Sequence, residues 1–281
     1  MTESPVLKFV KDNATLIALL VLLVGLSFAD EAFFTARNLS NLARQVTIIG
    51  IIGVGMTMVI LIAGIDLSVG SVVGLSAIVV TLLMQYGINV WLAILLTLIV
   101  VGGVIGVWNG FWIAHYRIPP FIITLGMLTI ARGLALTLSG GSSIPVKDPT
   151  FPAIGGAYIP PMATSVILGL ALLYIIYSIV AGIRRNQKLG TAIQWDRVIA
   201  SAVLGVGGLA LAFFVFTGYR GIPVPVAIFA VIAGGGIFVL SSTRFGRRLY
   251  ALGGNEDAAS LSGINVVKTK LVVYTTISVE P

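Results

Sequence analysis

The sequence predicts an all-α fold: a polytopic transmembrane helical bundle of about eight spans, with a ninth begun at its C-terminal end. Of the 281 residues, 58% are hydrophobic and only 10% are charged, whereas a soluble domain carries about a quarter charged residues. The apolar residues gather into runs close to the ~20 residues that cross a hydrocarbon core ~30 Å thick. We therefore expect residues 1–281 to form a single transmembrane domain.

The individual spans follow from these runs. The first run comes after Lys8 and Lys11 and has no small-residue cleavage site behind it, so we expect a retained anchor rather than a cleaved signal peptide. Some runs are shorter than 20 residues, which leaves room for tilted or re-entrant segments. In chain order the predicted spans are residues 15–29, 46–63, 71–86, 90–114, 121–139, 164–183, 198–217 and 224–240, and a ninth begins near Leu271.

Basic residues in the connections predict the orientation, since Lys and Arg are enriched in cytoplasmic loops. With a cytoplasmic N-terminus, twelve fall inside, four fall outside, and Arg132 lies within a span. This bias places residues 241–270 in the cytoplasm. The inside residues are Lys8, Lys11, Arg117, Arg184, Arg185, Lys188, Arg197, Arg244, Arg247, Arg248, Lys268 and Lys270, and the outside residues are Arg37, Arg44, Lys147 and Arg220.

Composition and missing motifs argue against several classes of function. The net charge of +7 is spread over connections between spans rather than along one stripe, so nucleic acid is not an expected partner. There is no cysteine, and the lone His115 has no carboxylate near it in the sequence, so neither a metal site nor a catalytic triad is expected. No phosphate-binding loop motif occurs. We expect a subunit that is not an enzyme, holds no cofactor and leaves ATP hydrolysis to another chain.

The first candidate site is the GIDLSVG turn, residues 64–70, between the second and third spans. Gly64 and Gly70 bracket Asp66 and Ser68 in an otherwise apolar stretch. A carboxylate at membrane depth normally faces a cavity or a partner, which favours a place on a substrate pathway. Equally, Asp66 or Ser68 caps the next helix and the glycines allow the turn. The two interpretations are compatible.

Arg132, inside the fifth predicted span, is the second candidate residue of the substrate pathway. A guanidinium there either pairs with a carboxylate, for which Asp66 is the obvious candidate, or extends toward the membrane interface. A structural ion pair is favoured over direct contact with substrate.

The third candidate is a short capped helix within residues 241–270. Asn255 is a good N-cap, and Glu256 and Asp257 suit the positive end of a helix dipole. Ala258 and Ala259 propagate the helix, and Gly263 stops it. Its place between spans on the basic side suits an element that presses into a cytoplasmic partner, although a plain linking helix fits the same pattern.

These motifs together resemble one bacterial family. Residues 64–71, 118–132 and 243–264 are similar to stretches of the permease subunits of ribose- and xylose-type, binding-protein-dependent ABC sugar importers. Residues 257–263 resemble the family's Glu-Ala-Ala-x-x-x-Gly coupling motif, with Asp257 in place of Glu. Residues 219–225, after an extra span, resemble the longer xylose or multiple-sugar permeases. The resemblance extends over nearly the whole chain.

The resemblance implies a multi-pass subunit of the bacterial inner membrane that carries a sugar by alternating access. It implies two cytoplasmic subunits that bind ATP and Mg, a periplasmic or lipid-anchored sugar-binding protein, and a second permease copy, identical or related. Coupling to the ATPase is expected through Asn255, Glu256, Asp257, Ala258, Ala259 and Gly263. Family members usually continue for about a hundred residues more, so a C-terminally truncated chain is expected.

The alternatives differ in what they require. An ion-coupled secondary transporter needs several intramembrane carboxylates, and Asp66 alone qualifies. An importer of another small polar solute, such as a nucleoside or an autoinducer, belongs to the same family. The resemblance favours a pentose such as xylose or ribose without selecting one.

Overall fold

The computed structural model describes residue 11 and residues 13–146 and 148–279, and it confirms the all-α prediction. Lys8 and Lys147, which contribute to the charge asymmetry, lie outside the described residues, as does Pro281, where the ninth predicted span stops. The helices are α1 (Ala14–Ala29), α2 (Ala36–Leu61), α3 (Val69–Gln85), α4 (Val90–His115), α5 (Pro120–Ser139), α6 (Thr150–Gly156), α7 (Pro161–Lys188), α8 (Trp195–Thr217), α9 (Val224–Ser242), α10 (Arg244–Gly254), α11 (Glu256–Leu261) and α12 (Val266–Val279).

Six described helices are long and apolar enough to cross a membrane: α2, α4, α5, α7, α8 and α9. Helices α1 and α3 are shorter but also apolar. The eight predicted spans fall on these eight helices, and the predicted ninth falls on α12. The chain is therefore a multi-pass helical membrane protein.

Several helices are longer than the predicted spans. The spans were predicted from apolar residues, and the first or last turns of these helices contain polar residues. Helix α2 begins at Ala36 rather than at residue 46, and Thr35 Oγ1 accepts the Asn38 N–H at 3.3 Å as its cap. Helix α7 continues to Lys188, with Arg185 and Lys188 in the last turn, where cations are favoured by the helix dipole. Within α4, residues Leu98–Gly103 form a π-helical turn.

The chain packs as two compact units. Of the described residues, the first unit contains those up to residue 44 and residues 158–223, and the second contains those from 45 to 157 and from 224 to 279. The expectation of a single transmembrane domain stays a prediction.

In the first unit α7 packs against α8, and a two-stranded sheet joins the segment before α7 to the segment after α8. Strand β1 (Tyr158–Ile159) pairs antiparallel with β2 (Ile222–Pro223). Thr164 is fully buried, donates to the Ile159 carbonyl at 3.1 Å and accepts the Ile222 N–H at 3.0 Å. Thr164 thereby ties the start of α7 to the segment after α8.

The second unit has two apolar cores. In the larger core α12 runs along α4 at close range, since Gly102, Gly106 and Gly110 face it. A methyl group added at Gly106 would lie 2.5 Å from Thr275 Cα. Small residues allow helix backbones to approach closely in lipid, where no hydrophobic effect drives helices together. The second core is formed by Val72, Leu75, Val101, Ile105, Met127 and Ala131.

Candidate functional site

The GIDLSVG turn links α2 to α3 and buries its carboxylate. Asp66 is 3% exposed, and its Oδ1 accepts the Ser68 N–H at 2.8 Å and the Ser68 hydroxyl at 2.6 Å. The chain enters the turn through Ala63, whose φ of 55° is uncommon outside glycine. The buried Asp66 therefore orders the segment that leads into α3, although the N-cap residue Ser68 makes no side-chain hydrogen bond to the first turn of the helix.

Three further elements enclose this turn with polar side chains. Asn109 of α4 donates to Ser68 Oγ at 3.4 Å, and Thr124 Oγ1 of α5 lies 3.5 Å from the Ile65 carbonyl. The Tyr274 hydroxyl of α12 reaches Gly64, where an added Cβ would lie 2.5 Å from it. Neither Asn109 Oδ1 nor the Tyr274 hydroxyl has a hydrogen-bond partner in the described part of the protein, although both are buried. The site thus holds one unpaired acceptor and one unpaired hydroxyl beside a carboxylate.

Arg132 does not join this site. Thr124, Met127 and Ala131 form the buried stripe of α5, and Arg132, the residue after Ala131, lies ~100° around the helix and is exposed. It also lies about 12 Å farther along α5 than Thr124. No ion pair joins Arg132 to Asp66 among the described residues, so the expected pair is wrong.

The segment of residues 241–270, the predicted coupling loop, contains helices α10 and α11. Helix α10 is capped by Thr243, whose Oγ1 accepts the Gly246 N–H at 3.2 Å. Its inner face buries Gly246, Leu249 and Leu252. Its exposed face carries Arg244, Arg247 and Arg248. This amphipathic helix attaches the loop to the larger core of the second unit.

Helix α11 forms as the sequence predicts, with both ends capped. Asn255 Oδ1 accepts the Ala258 N–H at 2.9 Å. Gly263 has a φ of 84° and donates its N–H to the Ser260 carbonyl at 3.0 Å, while the Ile264 N–H reaches the Ala259 carbonyl at 3.1 Å. These two bonds are the Schellman pattern that ends a helix. The predicted helix is confirmed, and its role in coupling stays a prediction.

Two features of the coupling loop were missed from the sequence. The Lys270 ammonium of α12 lies 2.6 Å from Glu256 Oε2, which joins α11 to the next helix. Leu261, at the end of α11, is 91% exposed. The opposite charges of Glu256 and Lys270 were a usable signal, but only the fold brings them together.

A polar cleft at the α3–α4 connection was also missed. It has a volume of about 640 Å³ and is lined in part by Thr81, Gln85, Asn89 and Asp148. Asn89 caps α4 by accepting the Trp91 N–H at 3.0 Å. Hydroxyl, amide and carboxylate groups around one cavity suit a small polar ligand.

The described segments were also compared with the requirements of a metal site. There, no group of three or more His, Cys, Asp or Glu side chains is close enough to hold a metal ion. The exposed ring of His115 stacks on Phe111 with 5.6 Å between the ring centroids.

Comparison with known proteins identifies the class. Residues 38–279 match the family described as the permease component of the branched-chain amino acid transport system, so the chain belongs to this permease family. Its relatives are named as permeases, which agrees with the expectation of a transport subunit rather than an enzyme.

Among its relatives, the xylose transport system permease of Escherichia coli (strain K12) is 39% identical over 257 residues, covering 87% of this chain and 63% of the relative. The xylose permease of Haemophilus influenzae (strain ATCC 51907 / DSM 11121 / KW20 / Rd) is 38% identical, covering 92% of this chain and 70% of the relative. The ribose import permease of E. coli (strain K12) is 33% identical, covering 94% and 64%.

The chain spans less than two thirds of the length of the two E. coli permeases that it matches. No solved structure gives a significant match.

Proposed function

We propose that this chain is the membrane-spanning subunit of an ATP-driven importer that carries a pentose, such as xylose or ribose, by alternating access. The observation that carries the proposal is the 39% identity to a xylose permease over 87% of the chain. The two-helix coupling loop supports it, because a separate motor needs a structured element on which to act.

The proposed contact with the ATPase is α11 and its caps, from Asn255 to Gly263. Asp257, Ala258 and Leu261 are exposed, whereas Ala259 is buried and anchors the helix. An exposed leucine on a small rigid helix suits an apolar pocket in a partner. The partners in this proposal are two cytoplasmic subunits that bind ATP and Mg, a periplasmic or lipid-anchored sugar-binding protein, and a second permease copy.

The proposed substrate pathway has an outer and an inner part. The cleft beside Asn89 is the outer part, where the sugar arrives from the binding protein. The GIDLSVG turn, with Gly64, Asp66, Ser68 and Gly70, is the inner part. Its unpaired Asn109 and Tyr274 atoms suit hydroxyl groups or water once the turn opens. Arg132, which is exposed and away from the turn, remains a candidate only where a second permease copy packs against α5.

The proposed location is the bacterial inner membrane with a cytoplasmic N-terminus. This orientation places the basic ends of α7 and α8, and the three arginines of α10, on the cytoplasmic side. The coupling loop then faces the compartment that contains ATP.

Two alternatives remain distinct from this proposal. An ion-coupled transporter needs more than one buried carboxylate, and Asp66 is the only buried one among the described residues. An importer of a nucleoside or an autoinducer shares the fold and differs only in its solute.

The test is uptake of radiolabelled xylose and ribose by cells that lack their own importers and express the full-length permease, its ATP-binding subunit and its binding protein. Leu261→Ser removes the exposed apolar group of α11 without changing the fold, and we expect it to abolish ATPase co-purification and uptake. Leu189→Ser, at a position 68% exposed after α7, is the matched control and should leave both unchanged.

Different outcomes separate the alternatives. Uptake that persists without ATPase and collapses in Asp66→Asn would support ion coupling. Intact co-purification without pentose uptake would favour another solute.

A further inference from the structure

The groove between α7 and α8 lies outside the substrate pathway proposed above. It has a volume of about 480 Å³ and lies near the end of α7 that finishes at Lys188. Ile175, Ile179, Ile183 and Val198 supply apolar walls. The groove is therefore apolar enough to accept a hydrocarbon chain. It lies on a helix pair whose residues are mostly exposed.

Glycines keep this groove open. A Cβ added at Gly182 would have no atom within 4 Å, so the space beside it is empty. At Gly205 a Cβ would lie 3.2 Å from Ile175, which shows where the two helices touch. The helices thus meet at Gly205 and leave room toward their basic end.

Two guanidinium groups stand at the mouth of the groove. Arg185 and Arg197 both line it and are exposed. Within the part of the chain that the structure describes, neither side chain forms an ion pair or a hydrogen bond. Asp196 precedes Arg197 on α8, and Arg184 and Lys188 lie near Arg185 in sequence, but none of these three residues lines the groove. The two guanidinium groups therefore give the mouth of the groove a positive charge.

The depth of the groove matches one leaflet of a bilayer. Ile175 lies about 15 Å along α7 from Arg185. Half of a ~30 Å hydrocarbon core is also about 15 Å. With Arg185 at the interface, the apolar walls reach the depth of an acyl chain and the guanidinium groups lie at the level of lipid head groups.

We propose that this groove binds one anionic phospholipid, with an acyl chain along the isoleucines and its phosphodiester held by Arg185 and Arg197. Arginine is suited to this role because its planar guanidinium forms paired hydrogen bonds to phosphate. Basic pockets between transmembrane helices bind acidic head groups in this way. The inference does not depend on which solute the permease carries.

The test is native mass spectrometry of the purified full chain with dioleoyl phosphatidylglycerol or dioleoyl phosphatidylcholine. We expect one molecule of phosphatidylglycerol to bind more tightly than phosphatidylcholine. Arg185→Gln combined with Arg197→Gln should weaken phosphatidylglycerol binding about 25-fold, because each of these two guanidinium groups contacts the phosphodiester in this proposal and contributes about fivefold. Glycerol 1-phosphate should not compete, since it lacks the acyl chain.

The control pair is Arg184→Gln with Lys188→Gln, which makes the same change in net charge outside the groove. It should weaken binding less than about fivefold. Gly182→Leu fills the groove without changing charge and should remove the tight phosphatidylglycerol site. An equal loss in the control pair, or unchanged binding in Gly182→Leu, would overturn the proposal. So would unchanged lipid binding with loss of the co-purified ATPase in the Arg185 and Arg197 variant, because the cations would then belong to a protein contact.

Discussion

Helix α4, which packs against α12, differs sharply in burial from the paired helices α7 and α8, although α4, α7 and α8 are similarly apolar. In the most apolar 18-residue window of α4, 39% of residues are buried, against none in α7 and 6% in α8. Apolar composition therefore predicts that α4, α7 and α8 all cross the membrane, but it does not say whether they face protein or lipid.

The glycines show the reason for this difference. Gly106 of α4 lies against the backbone of α12, whereas Gly182 of α7 and Gly207 of α8 have nothing within 4 Å of an added Cβ. The same residue type permits a tight crossing in one pair and leaves open space in the other. Substitutions that add one methyl group can separate the two situations.

The largest effect is expected for Gly106→Ala. The new methyl group would lie 2.5 Å from Thr275 Cα and 2.8 Å from the Tyr274 carbonyl, so α4 and α12 must move apart. We expect a loss of about 1–3 kcal/mol in the free energy of unfolding, measured by denaturing the purified chain in mixed micelles. Gly207→Ala is the control and should be neutral or stabilising by up to ~1 kcal/mol. Equal losses in both variants would remove the distinction between the two pairs.

A smaller effect is expected at the GIDLSVG turn. In Gly64→Ala the methyl group meets the Tyr274 hydroxyl at 2.5 Å, and we expect a loss of about 1–2 kcal/mol. Tyr274→Phe alone should be near neutral, because its hydroxyl has no partner among the described residues. In the double variant part of the loss should be recovered, as a double-mutant cycle would measure. Gly70→Ala, with nothing within 4 Å, is the control from the same turn. Strict additivity would mean that Tyr274 does not limit the space at Gly64.

The smallest effect concerns charge. Lys270 is 14% exposed and paired with Glu256, whereas Arg197 has no partner in the described segments. Lys270→Gln should cost about 0.5–1 kcal/mol, and Arg197→Gln should leave unfolding unchanged. In the Lys270→Gln background, Glu256→Gln should cost less than it does alone, as a double-mutant cycle measured by thermal unfolding of the purified chain would show. Strict additivity of the two losses would show that Lys270 acts through its packing instead.

Local structure was the part of the candidate site that could be predicted from sequence. Asn255 and Gly263 bound α11 because an amide side chain caps an N-terminus and glycine accepts a positive φ. Both effects act within a few residues and need no tertiary contact. The spans were predictable for the same reason, since solvation in lipid depends on local composition.

The environments of Asp66 and Arg132 were not predictable. Two intramembrane charges of opposite sign suggested a pair, but the rotation of α5 turns Arg132 outward from the buried Ala131. In a soluble helix polar residues mark the outer face, whereas α5 is apolar on both faces and carries no such mark. The GIDLSVG turn is approached by side chains from distant parts of the chain, Asn109, Thr124 and Tyr274. No local sequence pattern predicts these contacts.

The sequence by itself determined the membrane class, the positions of the apolar helices and the short capped helix α11, because hydropathy and capping are properties of neighbouring residues. Only the tertiary structure decided which apolar faces are buried, which glycines lie at helix crossings and which side chains enclose Asp66. Those features depend on contacts between distant segments. Hydropathy cannot predict them, because in a membrane protein the buried surfaces and the lipid-facing surfaces are both apolar.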